Sequence, residues 1–485
     1  MGEREQRPLG SENEPKLEDG PKLIQDRPYS RREFLRLTGI AGATIGVGAG
    51  LGGLLAACGG EAETTTTTSV AGTTTSVAGS TTTVSTGPEM GDEFKIGFVS
   101  PLTGSLAAFA APDKYCVEVW DEAAGDGIVC GDGKKHPVTI ILQDAQSNSN
   151  RAAQVAGDLI QNDKIGLMLC ASTGDMTIPV ADQCEALGCP SFSTDTITQA
   201  WFNGRGSPEE GFKWTYHAFW SAPASQAMYF AMWDQVPNNK VYGALWPNDI
   251  DGAIYRKTWP AALEQRGYTL VDGGDFQPGT EDFTSVISNF KSGGAEVCAG
   301  LLNPPDFTNF WSQAKQQGYQ PKICSVGKAL NFPQAVTAMG DASINLSAPV
   351  YWAPSFPFIS SLTGATCGEI ADDFETRTGQ QWTQSLNHYM LFEVAVDTLK
   401  RTTDVSDKES VIQALSTTKM ETVQGRLDYA SPVEANTIHP NKNYCETPIV
   451  GAQWIKGTKW PFDLLVVENE GWPEVPTVAE LLPLP

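Results

Sequence analysis

The chain has 485 residues, a formal net charge of −24 and 41% hydrophobic residues. Charge of that sign and size argues against nucleic acid or anionic lipid headgroups as partners, because both are held by clustered Lys and Arg. The hydrophobic share is that of an ordinary globular protein, and the roughly 390 residues from Phe94 onward suit two lobes better than one core.

Near the start, Ser30-Arg31-Arg32-Glu33-Phe34-Leu35-Arg36 precedes an uncharged, Gly/Ala-rich run from Ile40 to Ala57, closed by Leu55-Ala56-Ala57-Cys58. The arginine pair resembles a twin-arginine export signal, and the run has the character of the apolar region of a removed signal. Leu-Ala-Ala-Cys resembles the lipobox of bacterial lipoproteins, which implies that Cys58 is lipidated and becomes the mature N-terminus. A membrane-spanning helix is the other reading of the run, and its many glycines weigh against it. Residues 1–57 are therefore expected to be a signal and 58–93 a tether. From Thr64 to Thr86 the chain is wholly Thr, Ser, Val, Ala and Gly, with Thr-Thr-Thr-Ser-Val-Ala-Gly repeated. Such a segment cannot bury a core and spans on the order of 25–30 Å as a flexible coil.

Strand and helix signals then alternate. Phe94–Ser100 reads as a strand, 107–124 as a helix, Val138–Leu142 as a strand, and 151–162 as a helix with apolar residues at helical spacing. Ile165–Cys170 is strand, Ile178–Leu187 helix and Pro190–Ser193 strand. A second series follows: helix 225–235, strand 241–246, helix 252–266, strand 270–273, helix 283–291, strand 296–301, helix 306–317 and strand 321–326. Beyond it come an aromatic, proline-rich stretch at 352–358, a long amphipathic helix over 386–401, and hairpin strands at 449–455 and 464–467. Alternation of this kind implies parallel strands covered by helices on both faces, with ligands bound beyond the carboxyl ends of the strands.

Several stretches resemble the type I periplasmic binding proteins, in the leucine/isoleucine/valine-binding branch of ABC importers. They are Ile96-Gly-Phe-Val-Ser-Pro-Leu-Thr-Gly104, Ile141-Leu-Gln-Asp144, Cys170-Ala-Ser-Thr-Gly174, Gly188-Cys-Pro-Ser-Phe-Ser193, Ala244-Leu-Trp-Pro-Asn-Asp249 and Gly425-Arg-Leu-Asp-Tyr429. The resemblance runs from Phe94 to about Leu465. It implies an α/β architecture of two doubly wound parallel-sheet lobes joined by three crossovers, with the ligand cleft between them. Lobe 1 is expected at 94–217 and 347–426, and lobe 2 at 218–346 and 427–485.

It also implies a small-molecule solute, amino acid-like, an amide or a carboxylate, delivered to ABC permease subunits; the lipid anchor expected at Cys58 would hold the protein to the outer face of the cytoplasmic membrane. By position, Ser172, Thr173 and Gly174 match the loop that receives a solute's carboxylate, and Ser193, Thr194, Asp195 and Thr196 match the next one. Short hydroxyls and exposed amides suit a carboxylate, although the same residues are ordinary turn formers. Phe109 and Trp246 match positions where an aromatic covers the ligand, with core packing as the alternative. Asn303 falls at another such position. Where amino-acid binders carry an acid for the ligand's ammonium, this chain has Lys328. A cation there implies an anionic partner, unless it faces solvent and Asp195, Asp249 or Asp251 supplies the missing charge.

No nucleophile elbow, Walker loop or His-x-x-x-His is present, so a binding role is expected rather than an enzyme. A sensory ligand-binding module and a lipid-anchored hydrolase are the alternatives. Four histidines in unrelated segments and the absence of Cys-x-x-Cys give no metal site and no cofactor. Cys116/Cys130 and Cys184/Cys189 are the nearest candidates for disulfides.

Overall fold

The computed structural model describes residues 87–433 and 441–485. The expected signal, Cys58 and the tether through residue 86 lie outside the described residues. The chain is tied down before the expected end of the tether at 93: Lys135 N donates to Glu89 O at 2.7 Å and Gly91 N to Lys135 O at 2.9 Å.

One six-stranded sheet has the order Tyr444–Glu446, Thr215–Phe219, Ser191–Ser193, Leu167–Cys170, Phe94–Ser100, Val138–Asp144, and every pairing in it is parallel. The alternation along its central strands explains why it is covered on both sides. Ile96, Phe98, Leu167 and Leu169 face a core that includes Tyr115, Trp120 and Phe392 from the helices Asp113–Ala124 and Tyr389–Arg401. Val99, Met168 and Cys170 face Val155, Leu159 and Val180 from Ser149–Gln161 and Gly174–Leu187. A helix buries only one stripe, so each face of the sheet needs its own helices.

The second sheet has seven strands in the order Phe462–Glu468, Val450–Lys456, Ser347–Val350, Ile323–Lys328, Val297–Leu302, Val241–Leu245, Thr269–Asp272. The last two strands of the chain join it antiparallel, and the others are parallel. Its core is aromatic, with Trp233 packed against Tyr229, Phe230, Tyr242, Trp259 and Tyr268.

Strand membership moves two of the expected lobe limits. Ser347–Val350 pairs with Ser325 on one side and Val450 on the other, so it belongs to the second sheet and the return to the first follows it. Gly425–Asp428 does not lead into lobe 2. It closes a two-stranded hairpin on Lys419–Thr422, and the Tyr429 hydroxyl donates to His217 O in the first sheet. Tyr444–Glu446 then adds a parallel edge strand to that sheet, and the last crossing is left to residues 447–449.

The helix expected over 107–124 begins at Asp113, because Pro112 has no N–H to continue a helical ladder; short turns such as Phe109 N to Leu106 O at 3.0 Å precede it. The nine described cysteines are buried thiols. Cys130 Sγ donates to Ile128 O and Cys189 Sγ to Pro190 O, so neither of the expected pairs is bridged. Among the described residues no helix is long and apolar enough to cross a membrane.

Candidate functional site

A cavity lies where the carboxyl ends of the two sheets meet. From the first sheet's side it is lined by Phe109, Thr173, Asp195, Ile197 and Phe219, and from the second by Asp251, Leu301, Gly327, Lys328 and Asn331, with Trp220, Pro349 and Tyr351 at the crossings. Its volume is about 30 Å³, little more than a water or two needs and far below the several hundred Å³ or so that hold a solute. The lobes are thus closed on it. Phe109 meets Phe332 edge-on with ring centroids 4.7 Å apart, and a Cβ on Gly174 would lie 3.0 Å from Ile250 Cγ2. A larger hollow of about 750 Å³, lined by residues including Lys213, Glu409 and Tyr429, is open on lobe 1. The smaller cavity is the better site, because strands from both sheets end at it and buried charges converge there.

On the lobe 2 side, the loop after Val241–Leu245 delivers two aspartates. Asp249 caps the helix Ile250–Gln265, its Oδ1 accepting from Gly252 N at 2.7 Å. The turn is so tight that a Cβ on residue 252 would strike Pro247 O at 1.9 Å, which requires glycine. Asp249 Oδ2 lies 2.7 Å and Asp251 Oδ2 3.0 Å from Lys328 Nζ. All three side chains are buried, and Lys328 adopts φ 61°, where a side chain is strained. Burial alone would lower the Lys328 pKa, but Asp249 and Asp251 hold it well above the usual lysine range. Burial pushes Asp251 up to about 6 against the pull of Lys328. Burial likewise raises Asp175, at the start of the lobe 1 helix Gly174–Leu187 and within electrostatic reach of Lys328. Asp251 Oδ1 is buried without a partner.

On the lobe 1 side, Ser172 and Thr173 precede the helix Gly174–Leu187, and both hydroxyls are buried without a partner. The next loop is bonded to the strand Thr215–Phe219 and to the helix Gly174–Leu187. Ser193 Oγ lies 2.9 Å from His217 Nδ1 and Thr196 O 2.7 Å from His217 Nε2, so Nε2 carries the proton. Burial lowers the His217 pKa to about 3, which keeps that ring neutral. Thr194 Oγ1 donates to Ala218 O, and Thr196 Oγ1 shares a hydrogen bond with Thr177. Asp195, at φ 70°, is held from behind: Asn387 Nδ2 reaches Oδ1 and His388 Nε2 reaches Oδ2, both at 2.6 Å. His388 Nδ1 lies 2.6 Å from Asp113 Oδ1, and Ser100 Oγ donates to Asp113 Oδ2. Among the described residues no group of His, Cys, Asp and Glu could hold a metal ion.

The chain matches the family described as Periplasmic binding protein over residues 93–444. It belongs to that family. A Leu/Ile/Val-binding protein homolog 7 from Brucella melitensis is 25% identical over 200 residues, 40% of this chain, and the chain spans only 48% of that relative's length. A leucine-binding protein from Thermotoga maritima superposes with a TM-score of 0.63 at 16% identity, covering 78% of this chain and 99% of that one. A solute-binding protein of an ABC transporter from Rhodopseudomonas palustris, in complex with 3,4-dihydroxybenzoic acid, gives 0.62 at 17% identity over 76% of this chain and 95% of its own. A branched-chain amino acid transporter substrate-binding protein from Streptococcus pneumoniae, in complex with isoleucine, gives 0.59 at 16%, covering 81% and 100%. The two-lobed arrangement is the type I periplasmic binding-protein fold.

In this periplasmic binding protein, Phe109, Thr173, Asp195, Asp251 and Lys328 come together at the cavity, with Ser172, Gly174 and Asp249 immediately behind its wall. Ser193, Thr194 and Thr196 shape the loop that carries Asp195 and spend their hydroxyls on the neighbouring strand and helix, at His217, Ala218 and Thr177. Trp246 does not reach the cavity: it is buried against Tyr242, to whose hydroxyl its Nε1 donates at 3.2 Å. Asn303 starts the helix Pro304–Gln316 and is not part of the lining. The expectation of a Lys328 waiting for an anion is corrected, since two protein carboxylates already take its charge. Sequence reasoning missed Asp113, Asp175, Asn387 and His388. Asp175 lay within reach, one residue past the matched loop. The contacts of Asp113 and His388 are 275 positions apart along the chain and leave no local pattern.

Proposed function

We propose that this protein is the extracytoplasmic solute-binding component of an ABC importer, closing its two lobes on a small amino acid-like solute and presenting it to a permease. One observation carries the reading. The cavity between the strand ends has a partnerless donor on one wall, Thr173 Oγ1, with Ser172 Oγ just behind it, and a partnerless acceptor on the other, Asp251 Oδ1. Buried polar groups are rarely left unmade, so a solute with an acceptor end and a donor end would complete them on closure. Carboxylates outnumber cations there, which favours a zwitterion with its carboxylate toward Ser172 and Thr173 and its ammonium toward Asp251. Aromatic walls from Phe109, Phe219, Trp220 and Tyr351 support an aromatic acid as the second reading.

A ligand that binds only the folded state raises the melting temperature. Branched-chain and aromatic amino acids, their amides and benzoates should therefore include at least one stabiliser of protein freed of retained ligand. No shift from any of them would remove the solute-binding reading. Attachment through Cys58 belongs to the same proposal and rests on Leu55-Ala56-Ala57-Cys58. Cys58→Ala should abolish lipid labelling and membrane retention. Retention with an unchanged mature mass would refute the anchor.

A further inference from the structure

We propose that His388 is a positioning residue of the solute cleft. Its buried imidazolium, clamped between Asp113 and Asp195, makes the Asp195 carboxylate part of the wall and leaves Asp251 as the acidic group that meets the solute's donor end. The inference rests on the solute-binding reading for its consequence, but its physical core is independent of it.

The protonation state follows from geometry. Both ring nitrogens of His388 lie 2.6 Å from carboxylate oxygens on opposite sides. A neutral imidazole carries one N–H and one lone pair, and a lone pair aimed at a carboxylate oxygen is repelled. The remaining oxygens of both carboxylates are taken by donors, Ser100 Oγ at Asp113 and Asn387 Nδ2 at Asp195. A ring donating from both nitrogens satisfies the whole set. Burial opposes the charge, but Asp113 and Asp195 together push the His388 pKa up to about 10. The other titratable groups packed around the cluster are the Cys116 and Cys170 thiols and the Tyr351 phenol; burial raises all three above their usual ranges, so they contribute no charge.

The cluster joins separate segments at the mouth of lobe 1. Ser100 ends the first strand, Asp113 starts the helix Asp113–Ala124, Asp195 follows Ser191–Ser193, and His388 ends the turn Gln384–His388 ahead of the helix Tyr389–Arg401. Asp195 lines the cavity, yet neither of its oxygens is spare. It therefore contributes position rather than an open acceptor, and its positive φ is held by bonds from behind.

Two measurements on the full chain test this. Imidazole ¹⁵N resonances of ligand-free, ¹⁵N-histidine-labelled protein should include, at pH 8, a ring protonated at both nitrogens that is lost in His388→Gln. A His388 ring with a bare nitrogen at pH 8 would overturn the proposal, whatever the protein binds. The second measurement titrates L-isoleucine and its ammonium-free counterpart, 3-methyl-2-oxopentanoate. His388→Gln releases Asp195 as a second acidic group, so the preference for isoleucine over the oxo acid should rise about tenfold or more. Adding Asp195→Asn should reverse that rise. Equal weakening of both probes, with no reversal, would show a merely structural histidine. If neither probe binds the unaltered protein, the solute reading is at fault and the resonance measurement alone decides the charge of His388.

Discussion

Each lobe holds one buried cation between two aspartates, one of which lines the cavity, and the two clusters differ in completeness. In lobe 1, His388 lies between Asp113 and Asp195, and all four carboxylate oxygens have partners. In lobe 2, Lys328 lies between Asp249 and Asp251, and three of the four are taken, leaving Asp251 Oδ1 open. The same charge pattern thus does two things. A closed set of bonds fixes a loop, while a set short by one donor is a place where something else can bind. Buried ion pairs repay their desolvation only when the surrounding hydrogen bonds are complete, so the open oxygen is an energetic cost that the donor of a bound solute would relieve on the proposed reading.

The largest expected effect breaks the closed cluster. Asp113→Ala leaves His388 with one carboxylate and Ser100 without its acceptor, and should cost about 3–5 kcal/mol in denaturant unfolding. A cost below about 1 kcal/mol would show that the lobe 1 cluster does not hold the fold. Next comes the open cluster. Asp251→Asn should weaken a zwitterionic solute on the order of 10²-fold by calorimetry, with little loss of stability because a surplus buried carboxylate is removed. Loss of stability without loss of affinity would reverse the assignments of the two clusters.

Acidity sharpens the comparison further, because the clusters titrate in opposite windows. Asp251 is raised from 3.8 to about 6, so the folded protein holds its proton more tightly than the unfolded chain. Its contribution to stability therefore rises as pH falls from about 6 toward 3.8, while affinity for an ammonium-bearing solute falls over the same range. His388 is raised from 6.5 to about 10, so its contribution is complete below 6.5 and is lost as pH rises through 10. Stability measured across pH 4–10 should show both slopes, and the alkaline one should vanish in His388→Gln. The smallest effect lies outside both clusters. Trp246→Phe removes one hydrogen bond to Tyr242 and should cost about 1 kcal/mol of stability with affinity unchanged.

Much of the fold was legible because its signals are local. Strands such as Leu167–Cys170 and Val297–Leu302 are buried throughout and read as apolar runs, and the Ser172–Gly174 loop and the Asp249 turn follow such strands directly. The limits at 347 and 427 were misjudged because sheet membership is decided by a neighbour strand far along the chain. Ser347–Val350 and Gly425–Asp428 have equal claim to be strands, and only their partners distinguish them. The site was legible by half for the same reason. Lys328 was visible as an oddity, but the aspartates that take its charge lie 77 and 79 residues upstream, and whether a buried cation is free or paired is a fact of three dimensions.

The late return of the chain to both sheets bears on how the molecule is made. Tyr444–Glu446 supplies the edge of one sheet and Val450–Lys456 an inner strand of the other, with only residues 447–449 between them. A nascent chain emerging from the ribosome therefore cannot finish one lobe and then begin the next, as it would in a string of independent domains. Both sheets wait for the same last forty or so residues, and a stop codon or a protease cut ahead of Tyr444 leaves two unfinished lobes rather than one intact one.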